Sequence, residues 1–219
     1  MKKIIKVVFV SDTHGQHEKL DLPKGDVFIH GGDFCKFGNM NEYKEFNAWW
    51  KSLDYQYKLL IPGNHDKMIQ NHPNQARIHL EDVIVVNDLC AQLPNGLRIF
   101  GTPWTPTYGD WAFMLLHNSE TMWSKREKIF DCDILVSHGP AYGVLDDVAG
   151  AGNQGCKLLL QKIQEVKPQF FLCGHIHEGY GEDDIGDTKC FNGAVLDEKY
   201  QLVNEPIVFE IEIGEDDED

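Results

Sequence analysis

Five apolar runs in this chain each stop at a short polar cluster carrying His, Asp or Asn, most of them beside glycine. The run at 4–10 is followed by Ser11, Asp12, Thr13 and His14, and the run at 26–30 by Gly31, Gly32 and Asp33. The run at 57–61 leads into Pro62, Gly63, Asn64, His65 and Asp66. The run at 133–137 leads into His138, Gly139 and Pro140, and that at 170–173 into Gly174, His175, Ile176 and His177. Short apolar runs rich in β-branched and aromatic residues read as buried strands. Tyr43, Phe46, Trp50 and Leu53 recur at helical spacing in 41–53, as do Cys156, Leu159, Leu160, Ile163 and Val166 in 154–166. Residues 118–129 make a third helix candidate, with Asn118 or Ser119 as N-cap. Further strands are expected at 83–86, at 97–100 after the turn Pro-Asn-Gly, at 189–196 and at 206–213. Strand and helix alternate early and extra strands gather late. That order argues for an α/β fold with more than one sheet.

Ligands of α/β sheets collect outside the carboxyl ends of the strands. If these five ends lie side by side, two Asp, one Asn and four or five His converge on one point. Such an inventory is too ionisable to be buried without a counterion. Carboxylate, amide oxygen and imidazole suit Mn, Fe, Co, Ni or Zn, and no thiolate is required. Seven donors exceed what one ion with an open position takes, and they suit two ions sharing a carboxylate. Two metals about 3.5–4 Å apart are an arrangement that hydrolyses phosphate esters. Residues i and i+2 of an extended segment point the same way, so Asp12 with His14, and His175 with His177, can address one small site.

Composition narrows the partners. The chain has 219 residues and 35 acids against 20 bases, a net charge of −15, which counts against tight binding to nucleic acid. No run approaches the roughly 20 apolar residues of a membrane span. The lysines and apolar run at the N-terminus imitate a signal peptide only faintly, with no small-residue cleavage site; they read as the first strand of a cytoplasmic protein. The six scattered cysteines form no C-x-x-C pair and are expected as reduced thiols. Residues 1–213 are expected as a single domain and the acidic end, 214–219, as a solvated, disordered tail.

In order along the chain, Ser-Asp-Thr-His, His-Gly-Gly-Asp-Phe, Pro-Gly-Asn-His-Asp, Ser-His-Gly-Pro and Cys-Gly-His-Ile-His resemble the calcineurin-like metallophosphoesterase superfamily, over about three-quarters of the chain. The stretches at 101–106, 137–146 and 174–181 are similar to its metallophosphoesterase-domain-containing branch, regarded as cyclic-nucleotide-type phosphodiesterases. The resemblance implies two packed mixed β-sheets flanked by helices, a four-layer α/β/β/α sandwich. It implies two divalent metal ions, Mn foremost, with Fe, Zn, Co or Ni as alternatives. Asp12, His14 and His177 would hold the first ion, Asp33 would bridge, and Asn64, His138 and His175 would hold the second. A water bridging the ions would attack phosphorus in line.

Two catalytic residues are implied beside the metals. His65 would lie off the ions and bond a phosphoryl oxygen or protonate the leaving alkoxide. Asp66 would orient His65. The expected activity is hydrolysis of small phosphodiesters, cyclic nucleotides among them. A phosphomonoesterase or nucleotide pyrophosphatase would use the same site, and a metal-binding scaffold would keep the fold without turnover. Residues 101–113 are rich in aromatics and chain breakers. Trp104, Tyr108 and Trp111 either pack that loop on itself or wall the substrate cleft by stacking on a nucleobase. His30 is expected to be structural, Cys35 a small buried thiol and 178–184 a solvated acidic turn; His17, His72, His79 and His117 read as surface or core.

Overall fold

A computed structural model of the protein describes residues 2–214. In chain order the strands are β1 (Lys2–Val10), β2 (Val27–His30), β3 (Tyr57–Leu60), β4 (Ile84–Val85), β5 (Leu89–Gln92), β6 (Arg98–Thr102), β7 (Thr105–Pro106), β8 (Met114–Leu115), β9 (Ile134–Ser137), β10 (Asp147–Val148), β11 (Gly152–Asn153), β12 (Phe170–Cys173), β13 (Gly181–Ile185), β14 (Thr188–Asn192) and β15 (Ile207–Gly214). The helices are α1 (Met40–Ser52), α2 (Lys67–Asn71), α3 (Pro73–His79), α4 (Glu120–Arg126) and α5 (Lys157–Val166).

One sheet has the order β15-β1-β2-β3-β4, parallel except for β15 against β1. The other runs β13-β14-β12-β9-β6-β5, parallel in its middle and antiparallel at both edges. Both are therefore mixed sheets. Their inner faces make one core: Val7 and Phe9 of β1 and Ile29 of β2 meet Ile99, Ile134 and Leu172 of the second sheet. The alternate residues Val8, Val10 and Phe28 face outward onto Tyr43, Phe46 and Trp50 of α1. Phe100, Leu135 and Phe171 of the second sheet pack outward on Met122, Leu159 and Ile163 of α4 and α5. The result is the four-layer α/β/β/α sandwich. Central strands are buried on both faces, which is why β1 reads as a continuous apolar run and not as an alternation. A capping box starts α1: the Asn39 side chain accepts from Asn41 and Glu42 N–H, and the Glu42 carboxylate accepts from Asn39 N–H.

Several boundaries differ from expectation for physical reasons. The helix expected at 118–129 is α4 alone, capped by Ser119, because Asn118 has a φ of 55° and lies outside it. Helix α5 begins late, at Lys157, because Gln154 N and Cys156 N are spent on the carbonyls of Asp146 and Pro140. The strand expected at 189–196 stops at Asn192. Helices α2 and α3 are too short to show a periodicity, and β5 lacks β-branched residues. Residues 181–184 of the stretch expected as a solvated turn belong instead to the edge strand β13, whose exposed Glu182, Asp183 and Asp184 discourage pairing with another chain. Most of the expected acidic tail, 215–219, lies outside the described residues. Among the described residues all six cysteines are free, and no helix is long and apolar enough to cross a membrane.

His17 is buried against Phe46 and Trp49, at ring distances of 5.2 and 4.8 Å, and its Nδ1 has no partner. Burial pushes its imidazole down to about 4 from 6.5. The unfolded chain then binds the proton that the fold refuses, so the contribution of His17 to stability is full above pH 6.5 and is lost as pH falls toward 4. Urea unfolding of His17→Phe should show about 2–3 kcal/mol less loss between pH 7 and 4.5 than the native chain. Equal losses would contradict this.

Candidate metal centre

Strands β1, β2 and β3 are adjacent and parallel, as are β9 and β12, so the polar clusters leave each sheet on one edge. Backbone bonds lock the clusters to one another: Asp12 N to Gly32 O at 2.9 Å, His14 N to Asp33 O at 2.9 Å, and Gly174 N to His138 O at 2.9 Å. Ser11 pairs with Ala194 and brings the two sheets together at this point. The five strand ends therefore meet in the seam.

Asp12 and Asp33 are the buried anions of that seam, 0 % and 3 % exposed. Each carboxylate gives one oxygen to a backbone N–H. Asp12 Oδ2 accepts from His175 N at 2.8 Å, and Asp33 Oδ1 from His65 N at 2.7 Å. The other oxygen of each faces imidazole Nε2 atoms. Asp12 Oδ1 lies 3.6 Å from His177 and 4.0 Å from His14; Asp33 Oδ2 lies 3.5 Å from His138, 3.8 Å from His14 and 4.0 Å from His65. These separations exceed the 2.7–3.2 Å or so of a good N–H···O bond. Asn64 Oδ1 sits 3.0 Å from His138 Nε2.

Four imidazoles are oriented alike, each through Nδ1 to a backbone carbonyl: His14 to Cys35 at 3.1 Å, His65 to Lys36 at 2.8 Å, His138 to Gly31 at 2.9 Å and His177 to Asp197 at 2.8 Å. A carbonyl on Nδ1 sets the tautomer and leaves Nε2 as the free donor atom, as is usual for metal-binding histidines. The backbone is bent hard where it enters the seam. Asp12, His14, Asp33 and His175 all have positive φ, 57°, 41°, 54° and 69°, a region that costs non-glycine residues of order 1 kcal/mol or more each. Two glycines are required by close approach. A Cβ on Gly63 would collide with the Asp33 carboxylate and backbone, and one on Gly174 with the Asp12 carboxylate and Ser11.

Asp66 does not orient His65, contrary to expectation. Its carboxylate accepts from the N–H groups of Gly63 at 2.8 Å, Asp33 at 2.9 Å and Cys35 at 3.1 Å, and so ties two of the loops together. The Lys36 carbonyl orients His65 instead. The cause is local: the turn at 63–66 points the Asp66 side chain back at its own backbone and at the 33–35 loop.

Burial pushes the Asp66 carboxyl up to about 8, with help from the Asp33 charge and opposition from the N–H donors. Burial likewise works against charge on His138 and His177, yet the Asp33 and Asp12 carboxylates override it and raise both imidazoles to about 9. His175 is pushed down to about 3 by burial and then by repulsion from His138. Burial alone would raise Asp12 and Asp33, but the facing imidazoles, His177 and His138 foremost, hold both well below the carboxylate range. The pocket thus draws positive charge onto the imidazole nearest each carboxylate and refuses it at His175.

Divalent cations fit this arrangement. Asp12 Oδ1 and His14 Nε2 are buried with no hydrogen-bond partner. Asp12, His14 and His177 offer ligand atoms within 4.8 Å of one another, as do Asp33, His138 and His175, and His14, Asp33 and His65. Metal–donor bonds of about 2.0–2.2 Å bring such atoms to one centre. All seven residues expected as ligands, and His65, are together in space.

The aromatics divide. Tyr108 reaches the centre, with its ring 5.3 Å from His175 and its hydroxyl accepting from Asn64 Nδ2 at 3.3 Å. Trp111 stacks on His65 at 4.3 Å. Trp104 does not line the site: its Nε1 donates to Asp88 at 2.8 Å and its ring packs on Phe113, which anchors the loop from within. Tyr200 was missed. It stands 4.9 Å from His14 and 5.3 Å from His177, delivered by a turn that Asp197 closes through Lys199 and Gln201 N–H. The carbonyls of Gly31, Cys35, Lys36 and Asp197 were also missed, since no side chain advertises them. Beside Tyr108 and His175 lies a cleft of about 320 Å³.

A model of the family described as calcineurin-like phosphoesterase matches residues 5–179. Metallophosphoesterase domain-containing protein 1 of Homo sapiens is 36% identical over 231 residues, which span 94% of this chain and 71% of that protein. UPF0046 protein T07D4.2 of Caenorhabditis elegans is 32% identical over 240 residues, 95% of this chain and 60% of its own. The crystal structure of TT1561 of Thermus thermophilus shares the fold, with a TM-score of 0.61 at 14% identity over 88% of this chain and 90% of its own. The motifs, the sandwich, the converging donors and these matches agree: the chain belongs to the calcineurin-like phosphoesterase family of divalent-metal-dependent phosphoric ester hydrolases.

Proposed function

We propose that this protein is a dinuclear metallophosphodiesterase acting on small phosphodiesters, cyclic nucleotides among them. The observation that carries the reading is the pair of buried carboxylates, each with one oxygen committed to the backbone and the other turned toward a set of imidazole Nε2 atoms, the two sets meeting at His14. Asp12, His14 and His177 would hold one ion; Asn64, His138 and His175 would hold the other; Asp33 Oδ2, which faces both His14 and His138, would be shared. Manganese suits these donors, as do Fe, Zn, Co and Ni. Two such cations would supply Lewis-acid activation of water and compensation of charge on the phosphoryl oxygens.

The protein's own groups do the rest. His65 Nδ1 is committed to Lys36, so in the imidazolium form the proton on its Nε2 would be the one given to a leaving alkoxide, the ring returning to the neutral Nδ1–H tautomer. The left-handed backbone at four ligand positions keeps the donors preorganised, so little reorganisation is needed as charge develops. The cleft beside His175 supports a diester. Among the described residues that line it, none is Lys, Arg, Asp or Glu. Such a lining suits the uncharged second ester arm of a diester and offers no Lys or Arg to the second phosphate of a pyrophosphate. A monoester would leave the cleft unused.

Metal-stripped protein reconstituted with Mn should hydrolyse bis-p-nitrophenyl phosphate at least tenfold faster, in kcat/KM, than p-nitrophenyl phosphate. The reverse preference would favour the phosphomonoesterase, and two bound metals without turnover would favour a scaffold. Metal content separates the residue roles. Asp33→Ala should lose metal and nearly all turnover, whereas His65→Ala should keep the metals and lose about 10²–10³ in kcat on a diester that leaves as an alkoxide. A metal-free His65→Ala would make His65 a ligand. Asp66→Asn should cost about 2–3 kcal/mol in urea unfolding, because an amide cannot accept all three N–H groups.

A further inference from the structure

We infer that Trp111 is a positioning residue that acts through His65 and is not a stacking surface for substrate. The inference rests on the role proposed above for His65. The indole lies on the imidazole at 4.3 Å with planes 25° apart, and Lys67 Nζ lies 4.2 Å from the indole centroid. Both partners come from the segment that begins α2, so the ring is already engaged by the protein itself. Tyr108 and Tyr200, which also flank the centre, are 61% and 45% exposed and remain open to a ligand, whereas Trp111 is only partly exposed.

The backbone around Trp111 is clamped to the same segment. Ala112 N donates to Asn64 O at 3.2 Å, Phe113 N donates to Gln70 Oε1 at 2.6 Å, and Thr105 N donates to Phe113 O at 2.9 Å. His65 is therefore held from several directions: Trp111 on its face, His14 in a T-shaped contact at 4.6 Å, and the Lys36 carbonyl at Nδ1. The carbonyl alone would still allow the imidazole to rock about that bond. The indole removes this freedom and covers one face from water. Reacting groups must be held within about 0.5 Å and 10–20° of the productive geometry, and a 1 Å error costs about 10²-fold.

The test is a double-mutant cycle on the metal-loaded protein with two diesters, one leaving as p-nitrophenolate and one as an alkoxide. Trp111→Ala should lower kcat by about 10- to 100-fold with little change in KM, and more for the alkoxide, which needs a proton. Trp111→Phe should restore most of the loss. In a His65→Ala background, Trp111→Ala should change kcat less than twofold. A raised KM at unchanged kcat, or an equal loss in that background, would make Trp111 a substrate contact and overturn the inference. A second readout needs no turnover. In zinc-loaded protein, the His65 Hε1 resonance, assigned by its loss in His65→Ala, should move downfield and broaden in Trp111→Ala while the other histidine signals hold. An unmoved signal also overturns the inference. If the native protein hydrolyses no phosphoester, the proposed function falls, and the resonance alone decides the part played by Trp111.

Discussion

Two carboxylates in the seam between two sheets cannot stay ionised there without compensating positive charge. Asp12 and Asp33 are almost wholly buried, and each has a single backbone N–H bond on one oxygen. Everything around them answers that demand: five histidines within reach, two of them raised to about 9, and buried donor atoms with no partner. A desolvated anion of this kind is stabilised only by a charge placed against it.

Placement of that charge is a backbone matter. The four Nδ1 bonds run to main-chain carbonyls, and the carboxylate of Asp66 collects three main-chain N–H groups. The loops at 31–36 and 63–66 therefore behave as one knot whose strain, visible in the positive φ of Asp33, is held by Asp66. The helices and the sandwich core serve this knot by fixing where β1, β2, β3, β9 and β12 end.

The layers, the central strands and the convergence of donors were legible in the sequence because burial on both faces writes long apolar runs, and because His, Asp and Asn at strand ends have few reasons to be there. Asp66 stands next to His65 in sequence, which suggests contact, but the turn at 63–66 sends the two side chains in different directions. Trp104 and Trp111 share a composition-rich loop, yet one anchors on Asp88 and the other covers His65; only the path of the loop separates them. Tyr200 carried no signal, since it reaches the centre from a turn far along the chain.

Residue identity alone thus settled the chemistry available: oxygen and imidazole donors, strand-end glycines, an acidic chain with no basic stripe. Those properties belong to side chains and their local spacing. The fold decided which atom of each donor faces the centre, which neighbours are spent on holding them, and that a cleft lined without Lys, Arg, Asp or Glu opens beside His175. These depend on main-chain carbonyls and loop paths, which are set by how two sheets meet and are common to every residue type.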